Sequence, residues 1–283
     1  MDNTAYDPVG LLHPGEMGAA VGRCLTDAGH TVLWASDGRS EQTAARAAAA
    51  GLTDAGSPRK LAAEAAVILS ICPPHAALDT AWVVHGFTGL YLDANAISPG
   101  TAREVEQLIT GNGGRYVDGG IIGPPPGAAG STRLYLSGPD AAQVQELFAG
   151  TPLEARIVSG AATGASAVKM AYASWTKGTT AMLLAALALA RADGVEDTLL
   201  AEWSESQPQL AQQSARSARS AVTKGWRWVG EMEEIAQSMA AAGLPDGFHQ
   251  AAAEIFRRSP HLPDAAPGTD LTATVLRSLT GSD

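Results

Sequence analysis

Two groups of residues in this chain have types and spacings that could do chemistry. The first is His13-Pro14-Gly15-Glu16-Met17-Gly18, which follows the apolar run Val9 to Leu12 and opens a stretch with helical spacing at Met17, Val21 and Leu25. A diphosphate bound at a helix N-terminus needs backbone N–H groups with no Cβ in the way, which suits Gly15. It also needs a small residue where helix meets sheet, which suits Gly18. His13 stands where a G-x-G-x-x-G turn has its first glycine, so it must adopt a conformation that glycine reaches without steric cost. An ordinary strand-to-helix turn could carry the same two glycines; its place at the head of an alternating strand and helix series favours the diphosphate.

The second group is a stripe on a long helical pattern, with Lys169, Tyr172 and Thr176 at i, i+3 and i+7. Lys169 sits among the small or apolar residues Ala165, Val168, Met170 and Ala171, the setting of an amine beside a cleft rather than on an open surface. When a carbonyl receives hydride its oxygen gains negative charge, and a nearby amine can give it a proton; the reverse reaction needs a base. Tyr172 could donate to the same oxygen or be a buried tyrosine satisfied by backbone. His249, within Gly247-Phe248-His249, is a further candidate reaching in from across a dimer, with a structural role at a helix start as the alternative. Trp226, Trp228, Met232 and Met239 read as core, and Pro124-Pro125-Pro126 as a stiff loop by the cleft mouth.

A third stretch bears on which dinucleotide would bind. An Asp or Glu at the tip of the second strand grips a ribose 2′-hydroxyl, whereas small hydroxyls with an Arg accept a 2′-phosphate. Trp34-Ala35-Ser36-Asp37-Gly38-Arg39-Ser40 puts Ser36 at the tip and Arg39 and Ser40 just beyond, favouring NADP(H) over NAD(H). Asp37 leaves NAD(H) open, and Ser40 could instead cap the next helix.

These residues need a scaffold, and the pattern predicts one. Strands are expected at Val9 to Leu12, Thr31 to Ala35, Val67 to Ile71, Leu90 to Asp93, Arg115 to Asp118, Arg133 to Ser137 and Ala155 to Val158. Helices between them are expected at 15–28, at 40–50 and through Leu108. That alternation predicts an α/β, doubly wound Rossmann sheet over residues 1–159. From 160 to 283 only helical patterns follow, predicting an all-α domain joined by a long interdomain helix at about 161–192, some 48 Å long at 1.5 Å per residue. Further helices are expected at about 197–220, 225–242 and 246–258, with a Pro/Gly/Asp-rich tail from Ser259.

Composition narrows the partners. The 283 residues are 46% hydrophobic and 17% charged with a net charge of −10, which excludes a disordered chain and argues against a nucleic-acid or anionic-membrane surface. Cys24 and Cys72 lie far apart with no CxxC or Cys/His cluster, so no disulfide framework and no metal site is indicated, and the compartment reads as reducing cytoplasm. No basic and apolar leader opens the chain, and the apolar stretch Ala181 to Ala190 is too short to span a bilayer.

Taken together, five motifs resemble the 6-phosphogluconate dehydrogenase-like superfamily, which includes β-hydroxyacid dehydrogenases and imine reductases. The resemblance is strongest to a bacterial branch with a C-terminal domain of unknown function, DUF1932. The motifs are His13 to Gly18, Ile71-Cys72-Pro73-Pro74, Asp93-Ala94-Asn95-Ala96-Ile97-Ser98-Pro99, Asp118-Gly119-Gly120-Ile121-Ile122-Gly123-Pro124, and Gly164 through Lys169. The resemblance implies a domain-swapped homodimer with an active site between domains and Lys169 as the catalytic lysine. It places Cys72-Pro73-Pro74 against the nicotinamide ribose and Asn95 beside the nicotinamide amide. Departures from the pattern fall where substrate would bind. Ile122, followed by Gly123, replaces a serine that helps hold a carboxylate. Tyr172 and Ala173 replace an Asn pair, and Glu233-Glu234 a Lys-Asp pair. The expected function is hydride transfer between a nicotinamide cofactor and a C=O/CH–OH group of a small molecule. The alternatives are imine reduction and non-catalytic dinucleotide binding.

Overall fold

The computed structural model describes residues 8–266 and 268–281. The expected lack of a leader and the last residues of the tail concern residues outside that range. The chain divides into two units, one ending at Met170 and the other beginning at Ala171.

The first unit is built on an eight-stranded sheet. Its elements are β1 (Val9–Leu12), α1 (Glu16–Asp27), β2 (Val32–Trp34), α2 (Glu41–Ala49), β3 (Thr53–Asp54), α3 (Pro58–Glu64), β4 (Val67–Ser70), α4 (Ala77–Val83), β5 (Leu90–Asp93), α5 (Pro99–Thr110), β6 (Arg115–Ile122), β7 (Thr132–Ser137), α6 (Ala141–Leu147), β8 (Leu153–Ile157) and the start of α7 (Gly164–Ala192). The strand order is β3-β2-β1-β4-β5-β6-β7-β8, parallel throughout except where β7 turns back against β6. β1, β4 and β5 are buried along their whole length, as expected for parallel strands covered on both faces. Leu11, Leu25, Leu69 and Leu92 fill one face of the sheet, and Ile68, Tyr91, Ile97 and Ile109 the other. The winding reverses between β1 and β4, which opens the crevice at their carboxyl ends where ligands of doubly wound sheets bind.

Register puts a row of polar residues at that end. Leu12 pairs with Ser70, Ser70 with Asp93, Asp93 with Asp118, and Asp118 with Ser137. All four polar members are at most 1% exposed. The sequence pattern ended the fifth strand of its reading at Asp118, but β6 continues to Ile122 because pairing with β7 carries it on. The two-residue β3 was too short to show a period.

The second unit is helical: the rest of α7, then α8 (Glu196–Ser206), α9 (Gln209–Ala241), α10 (Gly247–Arg258) and α11 (Leu271–Thr280). Two expectations are corrected here. The helix break expected near Gly225 falls instead at Gln207 and Pro208, and α9 runs unbroken for 33 residues. Proline pushes the residue before it out of the helical region, and Gln207 sits at φ −145 and ψ 63. Gly225 is kept inside α9 because it packs against Phe256 of α10. The expected tail contains α11, started by Asp270, whose carboxylate caps the Ala273 N–H, and closed by Gly281 in the left-handed region. Met232 and Phe256 are core, whereas Trp226 is 51% exposed, contrary to its expected place. On α7, Trp175, Met182 and Leu189 follow one another at seven-residue intervals and all are exposed. Among the described residues no helix is long and apolar enough to cross a membrane.

Candidate functional site

The turn after β1 adopts the strained conformation that the motif demanded. His13 lies at φ +70, the one non-glycine residue with positive φ among those described. Gly15 is the N-cap of α1 and gives its first amides no side-chain partner, while α2, α3 and α5 are capped by Ser40, Ser57 and Ser98. A Cβ at Gly15 would meet only the His13 ring within 4 Å, whereas one at Gly18 would lie 2.6 Å from the His13 carbonyl oxygen. The first glycine therefore leaves the amides open, and the second lets helix and strand approach. Uncapped amides at the β1 end of the crevice fit a dinucleotide diphosphate. Pro14 is buried, Met17 packs on the core, and Glu16 stands exposed in the first turn.

Beyond β2, Ser36 is half-buried and Asp37, Arg39 and Ser40 are exposed. The Asp54 carboxylate accepts from the Gly56 and Ser36 amides, and the Gly56 bond first, then hydrogen bonding from Ser36, holds its pKa below the usual carboxylate value. Ser40 Oγ caps α2 by accepting from the Thr43 N–H, as the alternative reading of Ser40 expected. Arg39 Nη1 donates to His13 Nδ1 at 2.8 Å. Arginine has no acceptor, so the imidazole is neutral with its proton on Nε2. Burial first, then the Arg39 charge, lowers its pKa.

At the ends of β4 and β5, Asn95 is 1% exposed and both ends of its amide are engaged: Oδ1 accepts from the Cys72 N–H at 2.6 Å, and Nδ2 donates to Ser70 Oγ at 3.0 Å. Asn95 thus fixes the shape of the Cys72-Pro73-Pro74 loop. Pro74 opens a single 3-10 turn into α4, and the Cys72 thiol, accepting from Thr80 Oγ1, is pushed up to about 11 by burial.

The start of α7 is bolted onto β6. The Asp118 carboxylate accepts from the Ser166 amide at 2.8 Å, Ser166 Oγ at 2.5 Å and Ser137 Oγ at 2.9 Å, and Ser137 Oγ also accepts from the Ala165 amide. Burial raises the Asp118 pKa, and the bonds from Ser166 and Ser137 partly offset it. A Cβ on Gly120 would lie 2.9 Å from the Ala165 carbonyl oxygen and 3.0 Å from Lys169 Cβ, so that glycine sets how closely the helix lies. One turn beyond the anchor, Lys169 Nζ donates to the Ile121 carbonyl at 3.0 Å. Ile122 is buried and Gly123 begins the exposed turn into Pro124, whose carbonyl accepts from Thr132 Oγ1. Sequence reasoning saw Asp118 only as part of a motif. Its role as the helix anchor depends on Ser137 and Ser166, brought to it from 19 and 48 residues away.

In the second unit, Tyr172 is 47% exposed on α7 and Thr176 Oγ1 donates to the Tyr172 carbonyl. His249 is 6% exposed, its Nε2 3.4 Å from the Ser174 carbonyl oxygen and its ring against Phe248. Lys177 is ion-paired with buried Glu231 beneath the Trp228 ring, a pairing nothing in the sequence announced. Glu233 pairs instead with Arg257 at 2.9 Å.

Comparison with known proteins places the chain by family and fold. The NAD binding domain of 6-phosphogluconate dehydrogenase matches residues 8–149, half of the chain. The chain belongs to that family. A domain of unknown function, DUF1932, matches residues 190–259. The mitochondrial 3-hydroxyisobutyrate dehydrogenase of Drosophila melanogaster is 27% identical over 135 residues, 46% of this chain. The match spans 41% of that protein's length. A Mycobacterium tuberculosis 3-hydroxyisobutyrate dehydrogenase, solved with L-serine, superposes with a TM-score of 0.70 at 21% identity, covering 96% of this chain and 98% of that one. A reductive aminase from Aspergillus terreus, solved with NADPH and ethyl levulinate, superposes at 0.56 and 21% identity, covering 94% and 97%. The 6-phosphogluconate dehydrogenase-like first unit is thus a nicotinamide-dinucleotide domain, and a helical second unit follows it.

Proposed function

We propose that this 6-phosphogluconate dehydrogenase-like protein is an oxidoreductase that uses NADP(H) to interconvert a C=O and a CH–OH group of a small molecule, with Lys169 as general acid/base. One observation carries the reading. The Lys169 amine is fixed on the carboxyl side of the same sheet whose β1/β4 crevice holds the uncapped amides of the glycine turn. The main chain of the turn from His13 through Gly15 to Gly18 would hold the diphosphate, and Ser36 and Arg39 the adenosine ribose with its 2′-phosphate. Cys72, Pro73 and Pro74 would form the wall on the nicotinamide side. When bound, the nicotinamide supplies or accepts the hydride. Lys169 delivers a proton to the substrate oxygen as charge develops there, and removes it in the other direction. Asn95 acts by holding the Cys72 loop. Ile122 and Gly123 offer no hydroxyl to a carboxylate, which favours a less polar substrate than a small hydroxy acid.

A second reading, reduction of a C=N bond, is supported by Tyr172 where a dehydrogenase of this kind carries Asn, and by the reductive aminase fold. An iminium carbon accepts hydride with little need of a proton donor. Steady-state kinetics of the wild type and Lys169→Ala against ketones, hydroxy acids and cyclic imines separate the two. The main reading expects kcat on C=O substrates to fall by about 10²- to 10⁴-fold with NADPH affinity kept. Turnover of imines that survives in Lys169→Ala would replace it, and tight coenzyme binding without turnover anywhere would leave a non-catalytic dinucleotide binder. For assembly, we propose a domain-swapped homodimer in which the exposed row Trp175, Met182 and Leu189 meets a second copy of the chain. The two free cysteines, Cys24 and Cys72, fit a reducing compartment, with the cytoplasm as the proposed location.

A further inference from the structure

We infer that His13 is a positioning residue for coenzyme choice, holding the Arg39 guanidinium between the glycine turn and the β2 tip so that the protein prefers a ribose 2′-phosphate to a 2′-hydroxyl. The inference rests on the dinucleotide reading of the same turn and deepens it.

Backbone conformation gives the first argument. A glycine at position 13 would adopt φ +70 without cost, whereas any L side chain there is strained. A histidine in that place has to contribute something that a glycine cannot, and the contact it makes is the one to Arg39 at 2.8 Å.

Charge gives the second. Among the described residues Arg39 forms no ion pair with a carboxylate. Its side chain is exposed, and its guanidinium is held by a neutral ring nitrogen. A neutral acceptor fixes the direction of the cation and leaves its charge uncompensated, the condition for pairing with a dianionic phosphate. The nearby Asp54 carboxylate is turned to the Ser36 and Gly56 amides.

Position gives the third. The contact joins the turn after β1 to the loop after β2, and these two segments flank the adenosine ribose in a doubly wound dinucleotide fold. An arginine left to swing from the β2 loop would lose side-chain freedom on meeting the phosphate; one already tethered has less to lose.

The test is an equilibrium titration of NADPH and of NADH, followed by coenzyme fluorescence, on the wild type, His13→Gly, Arg39→Ala and the double variant. Glycine suits the backbone at position 13, so the variant keeps its fold, which thermal melting checks. The expected result is that His13→Gly weakens NADPH by about tenfold while NADH stays within about twofold, and has no further effect once Arg39 is removed. Equal weakening of both coenzymes would overturn the inference, because the ring would then be serving the shared diphosphate. So would an unchanged NADPH affinity, or an effect that persists in the Arg39→Ala background. A wild type that binds both coenzymes equally defeats the inference but spares the dinucleotide reading; one that binds neither defeats both.

Discussion

At the scale of single residues, His13 and Cys72 show how neighbours set chemistry. The His13 pKa is lowered below its ordinary 6.5, by burial and then by the Arg39 charge, so between the folded and unfolded values the unfolded chain binds more protons. The stability this group contributes is therefore full above the unfolded value and is lost as pH falls through the folded one. Urea unfolding of wild type and His13→Gly from about pH 8 down to about pH 5 should show the wild type losing ground to the variant as pH drops. A constant difference across that range would contradict the assignment. Cys72, with its thiol at about 11, should react with iodoacetamide far more slowly at neutral pH than an unperturbed thiol, its rate still climbing with pH beyond the ordinary 9.0. A plateau near that ordinary value would count against the burial argument. The sequence made part of this legible. A histidine in a glycine's place required positive φ, and the motif said so. That Arg39 would reach back across 26 residues to its ring could not be read, because local pattern carries no side-chain direction.

At the scale of elements, the start of α7 on β6 decides where Lys169 stands. Asp118→Ala would leave the Ser166 amide and the Ser137 and Ser166 hydroxyls without their acceptor in a fully buried place, a loss of roughly 2–4 kcal/mol in denaturant unfolding. Gly120→Ala puts a methyl against the Ala165 carbonyl and Lys169 Cβ. It should therefore lower kcat more than it lowers NADPH affinity; equal losses in both would show that the glycine merely supports the sheet. The alternation of strands and helices was readable because each strand is a short β-branched and Leu-rich run ended by a turn. The polar row Ser70, Asp93, Asp118 and Ser137 was not, since it exists only in the register of four strands. Two helix boundaries were misread because the expected helix at about 197–220 ran through Pro208 and a break was expected just before Gly225. Pro208 ended a helix, while Gly225 passed through the next one because Phe256 packs against it.

At the scale of the whole molecule, the sequence foresaw an α/β unit followed by helices, and both are present. What it could not foresee was which apolar helix residues would stay uncovered, because burial depends on neighbours that a single chain's periodicity does not name. Trp175 at 73% and Leu189 at 65% exposed are the sharpest case. If they meet a second copy, Trp175→Glu with Leu189→Glu should turn a dimer into a monomer in sedimentation velocity with each unit still folded; a dimer that persists would place the interface elsewhere. The reversal of β7 against β6 has a consequence for redesign. Residues 123–131 form a hairpin tip tethered at both ends to neighbouring strands, and 127–130 are open to solvent. On the proposed function, new segments grafted there would extend the loop that follows Ile121, whose carbonyl accepts from Lys169, without touching His13 or Arg39, so catalytic range and cofactor preference could be evolved as separate modules.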